Sequence, residues 1–337
     1  MQRKVIILTD GKAGHENQSK AFARALGCDF ALVAIRFKSP FHKALSYLLD
    51  HLGIHSLSLF APFEISATSH KPQTTNYVTV IGTGSGTFYA AKSLARRLGV
   101  KCGVVLYPRG YRIASFDCIL APEFDRPPAA VNVIPIPVNL VANDEAFYAA
   151  GTEAFLARHT PSGKPAVALI VGGPNKCSTM SAEWMRTQLE QIFATQKPTN
   201  NEPQTTNHES RTTNHEPRTT SHEIWVTTSR RTPPDVEAVI DSFPFDYKLL
   251  YSKDHFNPIP AFVKLAKTLY VTAESTGMLS ESCTFGTAEV RVLDNLNPGP
   301  HKFRRFVEDL VHGGYVNGSR KVDLSAQFEL AKKILLA

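Results

Sequence analysis

The sequence predicts an α/β protein of two Rossmann-like domains, each with a parallel sheet, facing a shared cleft. Three observations predict it. The apolar run Val5-Ile6-Ile7-Leu8 leads directly into Thr9-Asp10-Gly11-Lys12-Ala13-Gly14-His15, and a helical pattern follows. The arrangement recurs in the second half, where Ala166-Val167-Ala168-Leu169-Ile170 leads into Val171-Gly172-Gly173-Pro174-Asn175-Lys176-Cys177-Ser178-Thr179. Strand and helix signals alternate along the rest, the pattern of parallel sheets covered by helices on both faces. A chain of 337 residues accommodates two such domains with full cores.

In the first half, the strand at 4–8 is followed by a helix over 16–26, with Ala21, Phe22, Ala25 and Leu26 on one face. A strand at 77–81 passes through Gly82-Thr83-Gly84-Ser85-Gly86 into a helix over 87–98, stopped by Gly99. Strands near 102–106, 117–120 and 131–134 come next, then a helix over 144–158 capped by Asn143. In the second half, the strand at 166–170 precedes a helix over 181–193 with Ser181 as cap and Glu183 close behind. A strand at 223–227 precedes a helix opening at Pro233-Pro234, where proline fits a first turn. Strands 247–250, 269–272 and 288–292 alternate with helices 259–267, 277–284 and 301–312, and an amphipathic helix covers 324–336. These signals divide the chain into a first domain of residues 1–145 and a second of 146–321, with the last helix, 322–337, packing back on the first.

Hydrophobic content of 43% and charged content of 20% are those of an ordinary globular chain. The formal net charge of +7 favours anionic partners such as nucleotides, phosphorylated substrates or an acidic membrane surface; it is equally a solubility device. Nucleic acid is not indicated, because the basic residues are scattered rather than interleaved with aromatics. The five cysteines, Cys28, Cys102, Cys118, Cys177 and Cys283, are odd in number and show no C-x-x-C spacing. A disulfide framework and a zinc site are therefore not indicated, and a cytoplasmic protein with reduced thiols is expected. Four apolar residues after Met-Gln-Arg-Lys are too short for a signal peptide, and no run reaches transmembrane length.

Residues 202–222 read as one seven-residue unit three times over: Glu-Pro-Gln-Thr-Thr-Asn-His, Glu-Ser-Arg-Thr-Thr-Asn-His, Glu-Pro-Arg-Thr-Thr-Ser-His. No position of the unit is apolar, so neither a coiled coil nor a core is possible, and a disordered insertion over 197–222 is expected. Pro72-Gln73-Thr74-Thr75-Asn76 copies part of it in another connection. The recurring histidines admit a metal-binding reading, though a flexible tract holds metal weakly.

Ligands of open parallel sheets bind at the carboxyl ends of the strands. Those ends carry residues 10–15, 82–87, 172–179, Thr227-Thr228-Ser229-Arg230-Arg231 and Thr272-Ala273-Glu274-Ser275-Thr276-Gly277, the last running into Met278-Leu279-Ser280-Glu281. Glycines let backbone N–H groups approach a phosphate at a helix start, and hydroxyls and arginines suit its oxygens. Glu281 near a helix start either takes the hydroxyls of a ribose or compensates the helix dipole. Arg230 and Arg231 either hold phosphate or form a solvated turn. The stretch from Arg36 to Leu49 combines cations with bulky apolar groups, as a membrane-surface helix or a core helix with a basic edge would.

In this order, Thr9-Asp10-Gly11-Lys12-Ala13-Gly14-His15-Glu16-Asn17-Gln18, Phe116-Asp117, Ala121-Pro122-Glu123-Phe124-Asp125, Gly172-Gly173-Pro174, Thr227 to Pro233, Asn257-Pro258, Thr272 to Ser275 and Met278 to Glu281 form a set spread over nearly the whole chain. The set resembles the bacterial and plant family named for mitochondrial fission, the ELM family. The resemblance implies a GT-B glycosyltransferase fold, similar to the peptidoglycan enzyme type that adds GlcNAc to a lipid-linked acceptor. Gly14-His15 partly matches that type's Gly-Gly-x-Gly-Gly-His loop, and Gly172-Gly173 its Gly-Gly-Ser loop. Ser280-Glu281 matches its ribose-binding Ser-Glu pair. Asp10 and Lys12 interrupt the first glycine loop, and Pro174 removes a donor from the second.

The resulting expectation is a protein that binds a nucleoside diphosphate sugar in the cleft and transfers the sugar to a small or membrane-associated acceptor. Gly172, Gly173, Ser178, Ser229, Arg230 and the helix start at Ser275 would hold the diphosphate, with Ser280 and Glu281 on the ribose. Gly11 and Gly14 of the first loop would bind substrate or nucleotide, and His15 or Asp10 would serve there as base; a histidine merely closing the helix start is the competing reading. GT-B chemistry of this kind implies no cofactor and no bound metal. The alternative is a non-catalytic GT-B relic acting as a scaffold or peripheral membrane protein.

Overall fold

The computed structural model describes residues 3–64, 77–196, 221–318 and 320–337. The copied segment 72–76 and nearly all of the heptad tract lie outside the described residues. Two compact units are present, one of Met1–Asp144, Arg304–Gly313 and Lys321–Ala337, the other of Glu145–Phe303 and Gly314–Arg320.

The first unit opens with β1 (Lys4–Thr9), α1 (Ala13–Ala25), β2 (Asp29–Ala34) and α2 (Pro40–His51). It continues with β3 (Tyr77–Thr83), α3 (Phe88–Leu98), β4 (Lys101–Val105), β5 (Cys118–Pro122) and β6 (Val133–Ile136). Every pairing in its sheet is parallel, and the strand order is β2-β1-β3-β4-β5-β6. β1 is buried along five of its six residues, which is why it reads as an unbroken apolar run rather than an alternating one. Gly99 ends α3 in the left-handed conformation, φ 68°, as its position predicts. β2 carries no such signal: it is an edge strand, exposed at Asp29, Phe30, Leu32 and Ala34, and its pattern is neither continuous nor alternating.

The core of this unit encloses an ion pair. Asp50 of α2 and Lys92 of α3 are both fully buried and bonded to each other. The second Asp50 oxygen accepts the Arg112 N–H at 2.6 Å, and the Lys92 ammonium lies 4.4 Å from the Phe116 ring centre. Burial pushes the Lys92 pKa down against the pull of Asp50.

The second unit contains α4 (Glu145–Leu156), β7 (Ala166–Ile170), α5 (Ala182–Thr195), β8 (Glu223–Thr227), α6 (Pro234–Ser242) and β9 (Tyr247–Leu249). After them come α7 (Ile259–Leu265), β10 (Ala266–Thr272), α8 (Thr276–Thr284) and β11 (Glu289–Leu293). This sheet is also parallel throughout, in the order β11-β10-β7-β8-β9. The Ser181 hydroxyl caps α5 by accepting the Trp184 N–H at 3.1 Å, and α6 begins at a proline, as the sequence indicates. The two Rossmann-like α/β units expected from the sequence are thus the observed architecture.

Two helices close the chain. α9 (Lys302–His312) sets Phe306 against Phe124 and places Asp309 on the Arg126 guanidinium at 2.9 and 3.0 Å. α10 (Ser325–Leu335) packs Leu335 where a side chain on Gly103 would stand, and the Leu335 carbonyl accepts the Thr79 hydroxyl at 3.2 Å. Both contacts lie within the first unit. Between the helices, the Asn317 N–H bonds the Val290 carbonyl at 2.9 Å, which returns residues 314–320 to the second unit.

Candidate functional site

Each sheet has one place where the strand order reverses. In the first it lies between β1 and β3, because the chain leaves β1 for β2 on one side and returns to β3 on the other. The crevice at the carboxyl ends of such strands is where open parallel sheets bind ligands.

Asp10 and His15 meet there. His15 Nδ1 lies 3.1 Å from Asp10 Oδ1 and 3.2 Å from Oδ2. Lys12 Nζ is 3.2 Å from the same carboxylate, whose side chain is 11% exposed against 23% for His15. Burial works to raise the Asp10 pKa, but the His15 and Lys12 charges and hydrogen bonds outweigh it and hold the carboxyl below its ordinary value. The loop after β3 lies over the pair. A Cβ on Gly84, φ +83°, would come within 2.3 Å of the His15 ring, and one on Gly86 within 2.7 Å of the Asp10 carboxylate. Only glycines permit so close an approach. Lys43 of α2 donates to Ser85 Oγ at 2.9 Å and adds a cation to this loop.

Gly11, φ +80°, donates its N–H to Thr9 Oγ1 at 3.1 Å, and that hydroxyl donates to Glu16 Oε2 at 3.1 Å. Gly14 sits in the first turn of α1 with open space where a Cβ would be. The Lys12 side chain provides no cap for α1. Chemically, a carboxylate on Nδ1 orients an imidazole and leaves Nε2 to accept a proton from a hydroxyl.

The second sheet reverses between β7 and β10. Here the N–H groups of the glycine loop have partners within the unit. The Gly172 N–H donates to Thr272 Oγ1 at 2.9 Å, and the Gly173 N–H donates to Glu274 Oε1 at 2.8 Å. Thr272 Oγ1 also donates to that Glu274 oxygen at 3.0 Å. A Cβ on Gly172 would fall 2.0 Å from Glu274 Oε1, and one on Gly173 would fall 2.2 Å from the Arg231 carbonyl. Both glycines are therefore required by internal packing, and both of their N–H groups have side-chain partners within the unit. Sequence reading places Glu274 at a strand end but gives no sign of this, because nothing in the local pattern aims its side chain at residue 173.

Ser178 is buried and its hydroxyl accepts the Asn175 N–H at 2.9 Å. Ser229 and Arg230 stand beyond β8; the Ser229 hydroxyl accepts the Arg231 N–H at 3.2 Å, and Arg230 is exposed. Both line a cavity of about 490 Å³ with Tyr251, Ser252 and Lys253. Ser275 precedes α8 without capping it, and Gly277 in its first turn faces open space. Ser280 is buried and donates to the Thr276 carbonyl at 2.6 Å. Glu281, half-buried, accepts the Tyr148 phenol at 2.8 Å; Tyr148, fully buried in α4, has no motif that would have marked it. Among the described residues no three His, Cys, Asp or Glu side chains gather as a metal site.

Two Rossmann-like units whose switch points carry an acid–imidazole pair and a glycine loop define an α/β protein of the nucleotide-fold class. The chain belongs to the mitochondrial fission ELM1 family, whose model matches residues 13–216 and 200–331. Solved structures resemble it at low identity. MnaA of S. aureus in complex with UDP is 11% identical, with 99% of this chain and 88% of that chain covered, at a TM-score of 0.46. MurG of Acinetobacter baumannii is 12% identical over 99% and 91%, at 0.48. UDP-GlcNAc 2-epimerase of Neisseria meningitidis bound to UDP-GlcNAc is 10% identical over 100% and 98%, at 0.47. A search of curated protein sequences gave no match.

Proposed function

We propose that this protein binds a nucleoside diphosphate sugar on its second unit and transfers the sugar to a hydroxyl acceptor, using His15 as general base with Asp10 orienting it. The observation that carries the reading is the Asp10–His15 contact of 3.1 Å at the switch point of the first sheet. An imidazole fixed by a carboxylate on Nδ1 keeps Nε2 turned to accept the proton of an alcohol, which its deprotonation requires. On the second unit, Glu281 takes the ribose hydroxyls beside Ser280. The diphosphate lies against the first turn of α8 at Ser275 and against Ser229 and Arg230, where dipole and cation stand in for a metal. Gly172, Gly173 and Ser178 shape the loop beside it, since their polar groups already have internal partners.

A thermal-shift screen of nucleotide sugars tests the donor half, because a ligand that binds only the folded state raises its melting temperature. Once a donor is found, His15→Ala is expected to lower turnover roughly a hundredfold or more while donor affinity stays unchanged. No shift with any nucleotide sugar would sink the reading.

A second reading has its own observation. Phe41 and Leu48 of α2 and Leu52 just after it are 70%, 58% and 63% exposed. Arg36 and Lys38 are exposed just before the helix, and its one carboxylate, Asp50, is buried. Such a face suits an anionic bilayer, as a scaffold or peripheral membrane protein would need. No helix among the described residues is long and apolar enough to cross a membrane. Liposome flotation without nucleotide-sugar turnover would favour this second role.

A further inference from the structure

A cavity of the first unit lies apart from its switch point. α3 starts beside the Gly84–Gly86 loop and runs 11 residues to Leu98, so its far end stands away from His15. Residues 36–38 and 59–61 pair antiparallel. The Lys38 N–H donates to the Leu59 carbonyl at 3.0 Å, the Ala61 N–H donates to the Arg36 carbonyl at 2.9 Å, and the Phe37 and Phe60 rings lie 4.3 Å apart. This short ladder and the end of α3 enclose a cavity of about 430 Å³. Phe60 and Leu94 line it from the buried core, and Leu57 and Phe63 line it while packing against the same core. Leu98 lines it and is exposed, so the cavity opens to solvent there. Lys38 and Arg97 line it too, and both are exposed. Among the described residues that line it there is no Asp or Glu.

We propose that this cavity binds a single-chain anionic amphiphile, an acyl chain with a carboxylate or phosphate head. The chain lies against Phe60, Phe63 and Leu94, and the head meets Lys38 and Arg97. The volume is that of a small-molecule site. A sugar or nucleotide is the wrong chemistry, because apolar walls leave its hydroxyls without hydrogen bonds. A bare anion is also wrong. α3 ends here, and its last carbonyls carry a partial negative charge that Arg97 has to offset, so binding must come mainly from the buried chain. A cationic amphiphile would meet the like charges of Lys38 and Arg97. Lysine and arginine suit the proposed ligand at both ends: their methylene stems lie along a hydrocarbon while their heads stay at the water and meet the anion. Binding here requires neither a nucleotide sugar nor a bilayer, since the cavity takes the amphiphile as a monomer.

The test is calorimetry with hexanoate, octanoate, decanoate and decyl phosphate below their micelle concentrations. Decanol, decyltrimethylammonium and inorganic phosphate are the controls. Affinity is expected to rise about fourfold per added methylene from hexanoate to decanoate. Decanoate and decyl phosphate should bind about tenfold more tightly than decanol, and the cation and inorganic phosphate more weakly still. Lys38→Glu and Arg97→Glu change exposed side chains, so melting temperatures should hold within a few degrees. Each is expected to lower decanoate affinity about tenfold and leave decanol affinity unchanged. Lys38→Gln and Arg97→Gln, which lose the charge without reversing it, should move the same way by a smaller factor. Leu98→Asp should weaken decanoate and decanol alike. Decanol binding as tightly as decanoate, or unchanged decanoate affinity in all four charge variants, overturns the proposal. So does binding of anionic phospholipid vesicles without binding of any monomer, which would place the attraction on the surface of α2 alone. None of these failures touches the nucleotide-sugar reading.

Discussion

His15 is held from two sides, by the Asp10 carboxylate and by the bare Cα of Gly84. The second contact separates positioning from chemistry. An alanine at 84 places its Cβ 2.3 Å from the imidazole and forces a non-glycine residue to φ +83°. The backbone cost is about 1–2 kcal/mol, which leaves the unit folded, but the ring must leave its place on Asp10. Gly84→Ala is therefore expected to lower turnover nearly as much as His15→Ala, with only a few degrees lost in melting temperature; full activity in the variant would mean that the ring position is unimportant. A different histidine links stability to pH. Burial, then the charges of Arg96 and Lys92, pushes the His55 pKa below its ordinary value of 6.5, and its Nδ1 is buried without a partner. Below about pH 6.5 the unfolded chain takes a proton that the folded chain resists, so the unfolded state binds more protons and stability falls as pH drops. Above pH 7 the ring is neutral in both states and contributes nothing. Melting temperatures from pH 7.5 to 5.5 should decline less steeply in His55→Gln than in the unaltered chain; parallel profiles would show that another group is responsible. Residue type and order made Asp10, His15 and Glu281 visible in the sequence. The Asp10–His15 contact was not, since it depends on two glycines some 70 positions away in the chain.

At the scale of elements, buried strands were the most legible. Ala166–Ile170 and Glu223–Thr227 coincide with their apolar runs because both are buried along their whole length. β2 was illegible for the opposite reason, having one neighbour strand and a mostly exposed surface. α2 presents two unlike faces. One face is an exposed apolar stripe, and the other sends Asp50 into the core. That buried carboxylate was unreadable, because a lone acid among apolar residues does not announce a lysine 42 positions later. Removing one partner strands the other charge in the core, so Asp50→Ala is expected to cost about 3–5 kcal/mol. Replacing both together, Asp50→Leu with Lys92→Met, removes both desolvation costs and should restore most of that loss. Urea denaturation of the single and double variants decides it; additive losses would show that the ammonium and carboxylate act independently. The glycine loop after β7 was legible as a loop, but its contacts with Thr272 and Glu274 were not, because glycines that admit a ligand and glycines that admit a neighbouring side chain have the same spelling.

At the scale of the molecule, two α/β units were readable because the strand–glycine–helix signal occurs once at the start of each sheet. The path of the chain through residues 304–320 was not readable, since no composition shift marks where α9 joins the first unit and residues 314–320 return to the second. The heptad tract poses the remaining whole-chain question. Its flanks are α5, ending at Thr195, and β8, beginning at Glu223. Between them the Gln196 carbonyl accepts both the N–H and the hydroxyl of Ser221, each at 3.2 Å, so the chain leaves and re-enters the second unit at adjacent points. A connection whose ends already touch needs only a turn to close it, and shortening such a connection changes the closure entropy by about 1 kcal/mol or less. Every repeat position is polar, so its removal takes no apolar surface out of the core. Replacing residues 199–219 with a short Gly/Ser turn, with Ser221 kept, is therefore expected to leave the melting temperature within a few degrees of the full chain. Nucleotide-sugar affinity should be unchanged as well, because the tract joins α5 to the amino end of β8 whereas the proposed donor residues stand at the carboxyl ends of the strands. A large drop in melting temperature would show that the repeats pack against the second unit, and a selective loss of ligand affinity would place them over its binding face.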